Sequence, residues 1–138
     1  MAKWAAAIAD FDKAIAANAD FAGRRVFYLR GKARYRSGDH QGAVADFSRD
    51  LAITETADSH LWRALAYSEL GEFALGLEDA ARLLVLAPNQ ARAQAVLGDV
   101  LLKAGRLGDG KKAHERALRI DPGFAPSLQR MDELAGLE

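Results

Sequence analysis

Residues 57–90 read ADSHLWRALAYSELGEFALGLEDAARLLVLAPNQ, and four residues inside that stretch decide the fold. Gly71 stands at its centre, with Ala64 seven positions before it, Gly76 five after and Pro88 seventeen after. The arrangement recurs around Gly38, with Gly31 and Ala43, and around Gly105, with Gly98, Gly110 and Pro122. The three central glycines are 33 and 34 residues apart. Self-similarity at such a period marks a stacked-repeat solenoid, in which each unit buries its apolar face only against its neighbours.

Between these markers the apolar residues fall at helical spacing. Arg24 to Ser37 carries Phe27, Gly31 and Ala33, and Gly38-Asp39 supplies a C-terminal glycine followed by an N-cap. Ala43, Val44, Phe47 and Leu51 form one face of the next helix. Thr56 caps a helix with Leu61, Leu65 and Tyr67 that stops at Gly71, and Leu75, Leu83, Leu84 and Leu86 fill another that ends before Pro88. Asn89 is expected to cap a helix holding Leu97, Val100 and Leu101, and the last full unit runs through Ala113, Ala117, Leu118 and Ile120 to Asp121-Pro122. No strand-like alternation occurs. With roughly 12–15 residues per helix and connections of about two to four, consecutive helices must be antiparallel neighbours. The small pairs Gly31/Ala43, Ala64/Gly76 and Gly98/Gly110 would let paired backbones approach closely. A mid-helix glycine costs about 1 kcal/mol against alanine, so its repeated use points to a packing need.

These residues resemble tetratricopeptide repeats, helix–turn–helix units of about 34 residues. The matching pieces are Arg30-Gly31, Ala33, Gly38-Asp39, Ala43 and Phe47; Ala64, Tyr67, Leu70-Gly71-Glu72 and Pro88; and Leu97-Gly98, Gly105, Ala117 and Pro122. Met1 to Asp20 resembles the second helix of a preceding unit, and residues 125–137, with Leu128, Met131, Leu134 and Ala135 on one side, the helix that caps such arrays. The resemblance implies an all-α fold, an α-solenoid of antiparallel helix pairs coiled into a right-handed superhelix. Its expected divisions within a single domain, 1–138, are a truncated repeat and connection at 1–23, repeats at 24–56, 57–90 and 91–124, and a capping helix at 125–138. Asp50 and Leu83 stand where the family has alanine, Arg34 and His114 where it has a larger apolar or aromatic residue. Arg34 and Asp50 either compensate one another or, the reading favoured from sequence, reach solvent by local helix rotation. Met1-Ala2-Lys3 leading straight into a helical pattern, and a terminal Leu137-Glu138 that reads as a cloning scar, suggest a piece cut from a longer protein.

Bulk properties narrow the function. Half the residues are hydrophobic and 28% charged, as in ordinary folded domains, and the formal net charge of zero supplies no global field toward nucleic acid or an anionic membrane. The absence of cysteine excludes disulfides, thiol catalysis and thiolate metal sites, and leaves the compartment open. No apolar run approaches the roughly 20 residues that span a bilayer. His40, His60 and His114 lack metal-ligand spacing, no serine sits in a nucleophile elbow and no glycine-rich phosphate loop follows a strand, so neither catalytic residues, nor a metal, nor a cofactor is expected, and the chain is read as not an enzyme.

In the resembling family the first helix of each unit lines a concave groove. The residues that would project there are Arg25, Tyr28, Lys32, Tyr35 and Arg36, then Asp58, Leu61, Leu65, Ser68 and Glu69, then Arg92, Ala95, Asp99, Leu102 and Lys103. At about 100° per residue, the first five fall within roughly one third of a helix circumference. Residues 24–36 carry six positive charges and no acid, and arginine interleaved with tyrosine suits carboxylate or phosphate recognition with stacking. The expected ligand is therefore a peptide of another protein. Arg25, Lys32, Arg36 and Arg92 would offer charge, with apolar contact from Tyr28, Tyr35, Leu61, Leu65 and Leu102. A subset of the family clamps the C-terminal carboxylate of heat-shock chaperones; the corresponding positions here are Tyr28, Lys32, Trp62, Arg92 and Val96. Only Arg92 keeps a suitable charge, which argues against such a tail. RNA-reading helical arrays need a basic face along every repeat, and Asp58 and Glu69 interrupt it. The alternative function is an oligomerisation or spacer module, with Trp4, Ile8, Phe11 and Ile15 as an apolar face open to self-association.

Overall fold

Gly38, Gly71 and Gly105 adopt φ of 93°, 77° and 85°, a region that side chains resist, and each ends a helix in the same way. The amide of the residue after each glycine donates back six-to-one: Asp39 to Arg34, Glu72 to Tyr67 and Arg106 to Leu101, at 2.8–2.9 Å. Around these turns the computed structural model describes residues 2–17 and 25–137, so Met1, residues 18–24 and Glu138 lie outside the described residues. Arg24 of the basic run and part of the stretch read as a preceding half unit fall among them.

Eight helices are described: α1 (Ala2–Ala17), α2 (Val26–Ser37), α3 (His40–Ile53), α4 (Ala57–Glu69), α5 (Phe73–Leu86), α6 (Ala91–Lys103), α7 (Leu107–Ile120) and α8 (Ala125–Ala135). There is no strand among the described residues. Each helix packs on the next, while α4 also packs on α6 and α2 on α4. Closer approach along the α2–α4–α6 row curves the stack around that row, which places these three helices on the inner side. Asp39 caps α3 by accepting from the Gly42 amide, and Thr56 caps α4 by accepting from that of Ser59. Asn89 does not cap α6; that helix starts one residue later than expected, after Gln90, without a side-chain cap.

The core is built in layers between helices from small residues. Leu61, Ala64, Leu83, Ala87, Ala93, Val96 and Val100 form the central cluster, Tyr28, Ala43, Phe47 and Ala66 a second, and Ala91, Ala95 and Ala117 a third under Phe124. The mid-helix glycines are filled by particular partners. A Cβ on Gly31 would sit 2.8 Å from the Phe47 ring, and one on Gly98 2.6 Å from the His114 ring. In the middle unit the same two positions are Ala64 and Ala80, both fully buried. Volume removed from one helix is returned by the other. The expected close backbone approaches also occur at two pairs, since a Cβ on Gly76 would meet the Ala64 carbonyl at 3.2 Å and one on Gly110 the Gly98 carbonyl at 3.1 Å.

Charge is buried in the same layers. Arg30 grips fully buried Asp46 through Nε and Nη2 at 2.9 and 2.7 Å, and Arg63 grips Asp79 at 2.8 Å through the same two atoms. Both pairs recur at a spacing of 33 residues; in the third unit the positions hold Leu97 and Ala113. Arg34 donates to Asp46 at 3.1 Å, whereas Asp50 is bound by Arg25 at 3.1 Å and by Ser59. Neither sequence reading of Arg34 and Asp50 holds: Asp50 stays buried, and the two find different partners. The cap helix also docks differently. Leu128 is exposed, and fully buried Ser127 anchors α8 through a 3.0 Å hydrogen bond to His114 Nδ1.

Candidate functional site

On the inner row, Trp62 of α4 lies where α2 and α6 converge. The charged groups of Lys32, Arg36 and Arg92 lie 5.2, 5.2 and 5.9 Å from its ring centroid. Tyr35 meets the same indole edge-on at 5.5 Å, and the Tyr28 ring carries Lys32 at 5.3 Å. Cations over aromatic faces gain roughly 0.5–1 kcal/mol each at exposed sites, enough to orient long side chains without neutralising them. Among the described residues no carboxylate forms an ion pair with Lys32, Arg36 or Arg92. The Lys32 ammonium is held below the usual lysine range, first by burial and then by the neighbouring Arg36 charge, with Asp58 opposing. Burial pushes the Tyr28 phenol up, and the charge of Asp58 adds to the shift.

Beside this cluster the groove opens into a cavity of about 590 Å³. Its walls include Tyr35 of α2, Leu65 of α4, Leu102 of α6 and Leu134 of α8. Tyr35 therefore borders both the cavity and the cation cluster. Gly110 positions Leu102, whose side chain fills the space a Cβ there would need, at 2.6 Å. Charges at the cavity rim are paired: Lys103 with Glu69 at 2.5 Å, and Arg130 with Asp99 at 3.0 Å and Glu133 at 2.6 Å.

The structure sorts the expected groove residues. It gathers Lys32, Tyr35, Arg36 and Arg92 around Trp62, with Tyr28 itself buried in the second core cluster, and Leu65 and Leu102 in the cavity. Leu61 does not belong with them: it is 4% exposed and packs in the central cluster. Arg25 is also committed elsewhere. It precedes α2 in a left-handed conformation, φ 51°, and its Nη2 donates to Asp50, Thr56 and Ser59 at 2.9–3.1 Å while its guanidinium lies 3.9 Å over the Tyr28 ring. Trp62 is the residue that the groove reading passed over. Its signal was available, because the comparison with the chaperone clamp places it on the groove, although the 33-residue interval from Tyr28 leads to Leu61 instead. Arg130, Glu133 and Leu134 of α8 were also missed, since a cap helix has no counterpart in the repeats.

Elsewhere, His60 joins Asp79 and Glu55, and His114 joins Ser127 and Asp99, each inside a packing layer. No group of three metal-binding side chains occurs among the described residues, and none of the described helices is long and apolar enough to cross a membrane.

No family model matches the chain. It is 29% identical over 108 residues to bacteriophage adsorption protein A of Escherichia coli (strain K12), covering 73% of this chain and 11% of that protein. It is 21% identical over 104 residues to small glutamine-rich tetratricopeptide repeat-containing protein 2 of Mycosarcoma maydis, covering 75% of this chain. The chain thus spans 11% and 30% of the lengths of these two relatives. Among solved structures, YrrB, a TPR protein with an unusual peptide-binding site, matches with a TM-score of 0.83 at 17% identity, covering 94% of this chain and 66% of that one. MamA matches at 0.78 and 20%, covering 92% and 74%. The first TPR of Spaghetti (RPAP3), bound to an HSP90 peptide, matches at 0.72 and 19%, covering 81% and 90%. With its paired helices, its three left-handed turn glycines and these neighbours, the chain has the tetratricopeptide-repeat fold.

Proposed function

We propose that the chain is a non-catalytic protein–protein interaction scaffold whose concave face holds a peptide segment of a partner. One observation carries this reading: the inner face is divided into a cation cluster on Trp62, without an ion pair among the described residues, and an adjoining leucine-lined cavity, joined at Tyr35. That division suits a segment with an acidic group at one point and a large apolar side chain nearby. The apolar contact would supply most of the affinity and the charge would set register and choice of partner. That Spaghetti binds an HSP90 peptide shows the fold accepting a peptide, and supports the class of ligand only. A heat-shock chaperone tail is not the proposed ligand, because Tyr28, Trp62 and Val96 replace the polar groups such a clamp needs.

Selection of a random peptide library on the protein tests this reading. Selected peptides should combine aspartate or glutamate with leucine, isoleucine or phenylalanine. Arg36→Glu with Arg92→Glu should weaken them at least tenfold, and Leu65→Ala with Leu102→Ala should do likewise. Arg25 is a poor choice for charge reversal, since it holds buried Asp50. Selected peptides indifferent to both variants would overturn the proposal.

A further inference from the structure

We propose, building on the reading that the concave face binds a peptide, that the cluster at Trp62 receives a phosphorylated side chain of that peptide. The first argument is charge. Lys32, Arg36 and Arg92 face one ring without an ion-pair partner among the described residues, and Asp58 is the acid whose charge reaches Lys32. Three cations against one carboxylate leave a surplus of two. A phosphomonoester carries about 1.5–2 negative charges at neutral pH, whereas one carboxylate carries half the surplus.

Size and geometry point the same way. The three charged groups surround a single indole, and the charges of Arg36 and Arg92 both reach Lys32, so one anion beside Lys32 meets the field of all three. A phosphoryl group offers three terminal oxygens on one atom, to which guanidinium groups donate in pairs. Two acidic residues in succession fit less well, because consecutive side chains of an extended peptide point to opposite sides. The surrounding rings help. Trp62 and Tyr28 hold the cations by their faces, which reduces the freedom lost when the anion arrives. Without a ligand the cations repel one another, and that repulsion contributes to the lowered Lys32 value. A dianion relieves it.

The test uses three degenerate peptide libraries that differ only in one fixed central residue: phosphoserine, glutamate or serine. Each is passed over the immobilised protein and over the Arg36→Gln, Arg92→Gln double variant. Neither arginine makes an ion pair among the described residues, so the variant should fold, as circular dichroism would verify. The phosphoserine library should be retained at least tenfold more than the glutamate library, and the variant should lose that advantage. Millimolar inorganic phosphate should raise the Tm of the protein but not of the variant. Equal retention of glutamate and phosphoserine would overturn the phosphoryl assignment while leaving the acidic-peptide groove standing. A phosphoserine preference that persists in the variant would overturn the assignment to this cluster.

Discussion

Each turn glycine is needed for its backbone alone. A Cβ added at Gly38, Gly71 or Gly105 would meet nothing within 4 Å, yet all three have φ between 77° and 93°. Gly71→Ala should therefore cost about 1–2 kcal/mol from conformation only. Urea unfolding should show a lower midpoint at unchanged slope; an unaltered midpoint would contradict this reading. The mid-helix glycines behave in the opposite way, since Gly31 and Gly98 exist to admit a ring. Single residues also show where pattern fails. Leu61 and Leu65 lie one helical turn apart, yet one is buried in the core and the other lines the cavity. Neighbouring helices press on α4 from several directions, and a helical wheel does not contain that information.

At the scale of helix pairs, the units conserve volume rather than residue type. Gly31→Ala should destabilise by about 1–3 kcal/mol, because the new methyl collides with Phe47. In a Phe47→Ala background the same change should stabilise by up to about 1 kcal/mol, the helix-propensity gain alone. The sign reversal is the measurement, and additive effects would refute the complementarity. A second pair test concerns charge. Asp79→Ala strands Arg63 and removes the partner of His60 Nδ1, and breaking a buried pair costs about 3–5 kcal/mol; the lower end is expected, since Arg63 is partly exposed. Arg63→Leu combined with Asp79→Ala should cost less than Asp79→Ala alone, because the third unit already packs Leu97 and Ala113 at those positions. The repeated Arg30/Asp46 and Arg63/Asp79 spacing was legible in the chain. Its pairing was not, because Arg30, Arg34 and Arg36 of α2 could each have served.

Over the whole molecule, loops tie units together. Glu55, between α3 and α4, reaches Arg82 of α5 and His60 of α4. Its carboxyl is held at about 2 instead of 4.5, first by the hydrogen bond from Arg82 and then by that with His60. A depressed folded value contributes stability that is full above the unfolded pKa and disappears as pH falls through the folded one. The Tm difference between the protein and Glu55→Gln should thus be present at pH 6 and shrink between pH 4.5 and 2. A gap independent of pH would exclude the linkage. At this scale the division between sequence and structure is plain. The sequence alone determined the repeat, its turns and its antiparallel helices, because positive φ at glycine and helical periodicity act within a few residues. It also placed most of the cations and apolar residues on the inner row. Only tertiary structure decided which of them are spent on folding. Arg25 and Leu61 go to the interior, while Lys32, Arg36 and Arg92 gather around Trp62 without an ion pair among the described residues. Those outcomes depend on which acid or void a helix distant in sequence presents to each side chain, and stacking alone settles that.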